Sequence, residues 1–382
     1  MPKLLYLTTQ DKFFLSHLKE RAVNAKDNGF TIFVAAQLTD RRYAEEIKKL
    51  GFVFFDTKIE RRSLNVLSQI RAIRRLIKII NLVKPDISHH LGAKAIIFGT
   101  IAHKFANLST RSGIVNAPIG LGYVYAANEI KAAILKPIVQ FMYKLTLNPR
   151  NSRVIFENQD DLDFFVRIGA LDRKKAICIY GAGVDTEVFC PSNNKNNVCT
   201  VVMASRLIKE KGVFDFVRAA NVLRTKSVPV RMQLIGEPDY GNPNSLTKQQ
   251  FEWLKKIDFI ECLGFRDDIS SLLKKAHICC LPSFYREGLP RFLIEGACCG
   301  LAIVTTDTVG CREVVINKNG FLVQPHNVDD LVDKIALLAN NPMLREEMGG
   351  RSRQVALKLF DSRLVNQQTL EVYYDLLSQN SR

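Results

Sequence analysis

Two carboxylates eight positions apart, Glu287 and Glu295, bracket the segment EGLPRFLIE, and their surroundings specify a ligand. Gly288 and Pro290 mark a helix start after the apolar run HICCLP, with Pro290 at the first helical position, where its missing N–H costs nothing. The first amides of a helix have no internal partner and the dipole is positive there, so the backbone at Gly288 and Leu289 is expected to receive an anion. One glutamate just before the helix and another two turns inside it can accept hydrogen bonds from hydroxyls on either side. A molecule with phosphates flanked by hydroxyls is a nucleotide sugar.

A second cationic set lies upstream. SRLIKEKG holds Arg206 and Lys211 in one loop after the apolar strand VCTVVMA and ahead of a helix starting near Val213. Arg offers a diphosphate a bidentate fork, and Lys offers a point charge. Gly236, in the loop after VRMQLI, and Phe265, on an exposed edge where a base can rest, complete the expected nucleotide pocket. Near the N-terminus the loop TQDKFFLSH presents Lys12 and His17 at the carboxyl end of a strand; a helix-capping surface residue is the other reading of His17.

Three patterns point to metals and are read otherwise. Asp161-Leu162-Asp163 has the D-x-D form, but Leu162, Phe164, Phe165 and Ile168 make a helix face, and acids in a first helical turn are stabilised by the dipole. His89 and His90 have no metal-ligand partners nearby and read as site-lining or core histidines. The nine cysteines include no C-x-x-C and no zinc spacing, which fits small buried hydrophobes in a reducing compartment. No metal and no cofactor is expected.

The elements that must position these residues alternate along the whole chain. KLLYLTT, TIFVAAQ, GFVFFDT and KPDISHH are strands separated by helices, the first helix spanning about Ser16 to Asn28, and the same rhythm restarts at VCTVVMA. This is the pattern of doubly wound parallel sheets, repeated. With PSNNKNN as linker, the 382 residues divide into an N-terminal domain, 1–185, and a C-terminal domain, 186–361, while a last helix, 362–382, returns to the first domain. The helix from Leu64 to Val83 has Val66, Ile70, Ile73, Ile77 and Ile80 at helical spacing, with Arg71, Arg74, Arg75 and Lys78 on its other faces. It either packs on the sheet with a solvated basic face or meets an anionic membrane. Ala132 to Leu147 likewise suits either a core helix or the membrane interface.

Residues 1–190 hold 29 Lys and Arg against 17 Asp and Glu, so 12 of the 16 net positive charges lie there and call for an anionic partner. No apolar run reaches the ~20 residues of a membrane span, so a cytosolic or peripheral protein is expected. Two other classes predict features that are missing. A nicotinamide enzyme needs G-x-G-x-x-G after the first strand, where TTQDKFF stands, and a nucleic-acid binder needs interleaved exposed aromatics or a recognisable module.

In combination, these residues resemble the retaining, GT-B-fold glycosyltransferases of family 4. The resemblance rests on the Glu287–Glu295 spacing within EGLPRFLIEGACCG, on SRLIKEKG and on GAGVDTEVF; GEPDYGNP, GLGYV and DKFFLSH are similar to the branch that builds polyprenyl-diphosphate-linked glycans such as O-antigen, capsule or N-glycan precursors. It implies two Rossmann-like domains facing across a cleft. The implied activity is transfer, with retention, of a hexose or N-acetylhexosamine from a UDP-sugar to a lipid-linked glycan at the inner membrane face. A soluble transferase with a small acceptor is the alternative. Carried over by position, Arg206 and Lys211 neutralise the leaving diphosphate together with the amides of Gly288 and Leu289, Glu295 holds the ribose, Glu287 contacts the donor sugar, and His17 and Gly122 lie on the acceptor side. A histidine of many relatives has no counterpart, since Asn116, Ala117 and Pro118 stand in its place, so its role is unfilled or taken elsewhere.

Overall fold

The computed structural model describes residues 1–60, 65–108, 112–119 and 130–379, with the backbone alone for 130–135. The chain forms two compact units, Met1–Ala182 with Val365–Arg382, and Gly183–Leu364. In the first, the strands β1 (Lys3–Leu7), β2 (Thr31–Ala36), β3 (Val53–Asp56), β4 (Ile87–Leu91), β5 (Gly113–Ala117), β6 (Ser152–Phe156) and β7 (Ala176–Cys178) make one parallel sheet in the order β3-β2-β1-β4-β5-β6-β7. Its central strands are buried on both faces, which is why β1 reads as an unbroken apolar run. The helices are α1 (Asp11–His17), α2 (Lys19–Asp27), α3 (Arg41–Lys49), α4 (Val66–Val83), α5 (Ala93–Phe105), α6 (Ile130–Thr146) and α7 (Gln159–Arg167).

Where one helix was expected before β2, there are two. Helix formation starts earlier, at Asp11, whose buried carboxylate accepts hydrogen bonds from the amides of Lys12 and Thr39, both at 2.8 Å. It breaks at Leu18, whose φ of −122° is not helical. The buried side of α4 also differs from the expected stripe. Ala72, Leu76 and Ile80 pack with Ala95, Phe98 and Ala102 of α5, whereas Val66, Leu67 and Ile70 are 67%, 64% and 41% exposed. Contacts that bury the helix begin only at Ala72, so its first two turns keep their apolar side chains in water.

The second unit repeats the plan with β8 (Cys199–Ala204), β9 (Val230–Ile235), β10 (Glu261–Gly264), β11 (Ile278–Leu281), β12 (Ala302–Thr306) and β13 (Gly320–Val323), parallel in the order β10-β9-β8-β11-β12-β13. Its helices are α8 (Val213–Thr225), α9 (Lys248–Lys256), α10 (Ile269–Lys275), α11 (Arg291–Cys298), α12 (Val328–Asn340) and α13 (Pro342–Leu359). The nine cysteines are free thiols, and six of them are buried. The last helix, α14 (Ser362–Gln379), packs back on the first unit, where Val365, Leu370, Tyr373 and Leu376 join the core of Tyr6, Phe14 and Phe30. In both sheets the strand order reverses once, between β1 and β4 and between β8 and β11. The carboxyl ends of strands at such a reversal are where open α/β sheets take ligands.

Candidate active site

The reversal in the second sheet brings together the loops that follow β8 and β11. From the first comes Lys211, and from the second Glu287, with Nζ and Oε1 2.5 Å apart and side chains only 14% and 11% exposed. Ser283 Oγ lies 2.9 Å from the same carboxylate oxygen. The β11 loop is anchored on the β8 loop through the Glu210 carbonyl, which accepts from the amides of Phe284 (2.9 Å) and Tyr285 (3.2 Å). Close approach is possible because residue 212 is glycine. Its φ is +76°, and a Cβ there would stand 1.9 Å from the Pro282 carbonyl oxygen. From the other side Thr306 and Thr308 both donate to the Ser283 carbonyl. Glu287 is therefore held by three loops at once.

Arg206 turns to a different neighbour. Its Nη1 is 2.7 Å from Asp239, in the loop after β9, and its side chain is 52% exposed. Arg206 and Lys211, both in the loop after β8, thus each face a carboxylate of a different loop. Gly236 joins adjacent loops, its amide donating to the Gly264 carbonyl at 2.8 Å, and Phe265 is 71% exposed just beyond.

Helix α11 begins at Arg291, with Pro290 as its N-cap residue and not its first helical residue. Gly288 and Leu289 therefore belong to the approach loop. Glu295 is carried one turn inside α11 and accepts from Arg291 Nε at 2.9 Å. Burial raises its pKa, against the lowering pull of Arg291.

In the first unit His17 ends α1, its ring stacked on Phe13 at 4.1 Å and its Nδ1 2.7 Å from Ser16 Oγ. Gly122 lies outside the described residues. His89 and His90 are core residues with no exposed surface. Asn116 Nδ2 donates to the Thr146 carbonyl, so its oxygen faces His90 Nδ1 at 3.0 Å and accepts that ring proton. Burial pushes the His90 pKa down to about 3, which keeps the ring neutral. Asp161 lies in the first turn of α7, capped by Asn158, whose Oδ1 accepts from the Asp161 amide and whose Nδ2 donates to its carboxylate at 3.1 Å. Among the described residues, no group of three His, Cys, Asp or Glu side chains has the arrangement of a metal site.

Sequence reasoning passed over Ser283, Asp239, Glu210 and Thr306. Ser283 had a usable signal in its place four residues before Glu287. The other three act through loops that only the sheet order makes neighbours.

Two parallel, doubly wound units with a last helix returning to the first have the architecture of the GT-B fold. Residues 3–158 match the family model "Glycosyl transferase 4-like" and residues 185–355 match "Glycosyl transferases group 1". The chain belongs to this glycosyltransferase family and is an enzyme of that class. It is 28% identical, over 91% of its length and 92% of the relative's, to the N,N'-diacetylbacillosaminyl-diphospho-undecaprenol alpha-1,3-N-acetylgalactosaminyltransferase of Campylobacter jejuni. It is 24% identical to the UDP-Gal:alpha-D-GlcNAc-diphosphoundecaprenol alpha-1,3-galactosyltransferase of Escherichia coli, over 74% of each chain. Among solved structures, Anabaena HepE in complex with UDP superposes with a TM-score of 0.75 at 19% identity, covering 98% of this chain and 100% of that one. Sucrose-phosphate synthase of Thermosynechococcus elongatus does so with a TM-score of 0.81 at 15% identity, covering 99% and 100%.

Proposed function

We propose that the protein is a retaining glycosyltransferase that moves a hexose or N-acetylhexosamine from a UDP-sugar to a polyprenyl-diphosphate-linked glycan at the inner face of the cell membrane. The observation that carries this reading is the Lys211–Glu287 pair at the mouth of the second sheet. Relatives that match most of the chain and are named for diphospho-undecaprenol acceptors support the acceptor class. HepE, solved with UDP-glucose, supports the donor class.

In this mechanism the bond from the anomeric carbon to the diphosphate breaks, and negative charge grows on the departing group. Lys211, Arg206 and the amides at Gly288 and Leu289 stabilise it most at that moment, which lowers the barrier. A departing phosphate oxygen takes the proton of the acceptor hydroxyl as the new bond forms on the same face. Glu287 orients the donor sugar and Glu295 the ribose, while His17 serves the acceptor side. Asp239 and Glu287 hold the two cations until the diphosphate arrives.

Membrane contact is supported by the exposed Val66, Leu67 and Ile70, set among the exposed Arg71, Arg74 and Lys78. No described helix is long and apolar enough to cross a bilayer.

A panel of nucleotide sugars incubated with a lipid-diphosphate sugar acceptor tests the reading by mass shift. A one-sugar gain from a UDP donor is expected, and it should persist in excess chelator. Gain only on free sugars would replace the lipid acceptor with a small soluble one. Activity restored solely by manganese would bring Asp161 and Asp163 back as metal ligands.

A further inference from the structure

His326 occupies the turn between β13 and α12 with φ at +64°, a left-handed conformation unusual for a residue other than glycine. Its ring centroid is 4.2 Å from that of Phe284, with 50° between the planes. On its other side, Nδ1 stands 3.3 Å from Asp215 Oδ2. Asp215 is 5% exposed and sits in the first turn of α8, four residues after Lys211, and its other oxygen takes Arg218. Phe284 adjoins Ser283, which bonds Glu287. One side chain therefore touches the loop that supplies Glu287 and the first turn of the helix that follows Lys211. It does so from a third loop, two strands away from β11. The histidine side chain is itself 59% exposed, so it is not there to fill a core.

We propose that His326 is a positioning residue for the transfer site: wedged between Phe284 and Asp215, it clamps the Glu287 loop onto the start of α8 and so sets the Lys211–Glu287 geometry. The proposal rests on the functional reading above for its kinetic consequence, but the clamp itself does not depend on the substrate. Phe284 is also held through its own amide, which donates to the Glu210 carbonyl. Without the ring above it, the Ser283–Leu289 loop gains freedom, and bound donor must pay to order it.

Two variants separate clamping from mere folding. His326→Asn keeps a residue that tolerates the left-handed backbone and removes the ring, so the melting temperature should stay at or above that of the parent. His326→Phe keeps the stacking partner and loses the pairing with Asp215. Hydrogen exchange of the amides of residues 283–289 should speed up several-fold in the Asn variant and less in the Phe variant. Its kcat/KM for the donor should fall about tenfold, with partial recovery in the Phe variant. Parental exchange rates in the Asn variant would overturn the clamp. Faster exchange with unchanged kcat and KM would overturn its part in transfer. Failure of the parent to bind any nucleotide sugar would sink the functional reading, while the exchange rates would still decide the clamp.

Discussion

At the scale of single residues, the site depends on a nearly buried ion pair whose carboxylate also meets the Ser283 hydroxyl. Lys211→Ala leaves Glu287 buried beside Ser283 without its cation, a change that typically costs about 3–5 kcal/mol when it breaks a buried pair. Because the lysine is also assigned to the leaving group, kcat should fall by roughly 10²–10³ and more than donor KM rises. An unchanged kcat in steady-state assays would remove Lys211 from the mechanism. Gly212→Ala acts on the same pair from the backbone. Its Cβ would meet the Pro282 carbonyl, so the two loops must part. A loss of about 2 kcal/mol or more in urea unfolding is expected, together with loss of transfer. Glu287, Glu295, Arg206 and Lys211 stood out in the chain by type and spacing, and the fold brings Lys211 and Glu287 together. Which carboxylate each cation faces was not legible there, since Asp239 and Glu287 reach Arg206 and Lys211 only across strand neighbours.

At the scale of elements, the start of α14 depends on one carboxylate. α14 starts beside Asp361, whose carboxylate takes the Arg363 amide and guanidinium and the Thr186 hydroxyl. The Arg363 hydrogen bonds, with Thr186 adding to them, hold its pKa down at about 2, against an ordinary value of 3.8. A depressed carboxylate stabilises the fold above its unfolded pKa, and that stability is lost as pH falls through the folded value. Asp361→Asn should therefore lower the urea midpoint at neutral pH, with the gap closing from about pH 4 towards pH 2. A gap independent of pH would assign the effect to shape and not to charge. The periodicity of α4 was readable, yet its buried side was not. A stripe of apolar residues says that a helix has an inner face, but how far along the helix that face finds partners depends on α5 and the sheet.

At the scale of the whole molecule, the uneven charge makes a measurable claim. Twelve of the sixteen net positive charges lie within residues 1–190, and the exposed apolar turns of α4 lie in that stretch. Flotation with phosphatidylglycerol vesicles at low salt should carry the protein upward. The fraction should drop at about 0.5 M salt, where screening shortens to a few ångströms. Val66→Ser with Leu67→Ser should cut the bound fraction at low salt with little change in the melting temperature, because both side chains are about two-thirds exposed. Binding unaffected by these changes would move the contact elsewhere.

The order of residues by itself determined the alternation of strands and helices, the repetition of that plan, and the set of carboxylates and cations proposed for the donor, because periodicity and side-chain chemistry are local properties. Tertiary structure alone decided which loops meet. The Lys211–Glu287 pair exists because β8 and β11 are neighbours in the sheet although more than seventy residues separate the two side chains in the chain. For the same reason His89 and His90 became core residues: β4 is buried along its whole length, and burial disfavours the charged form of both rings.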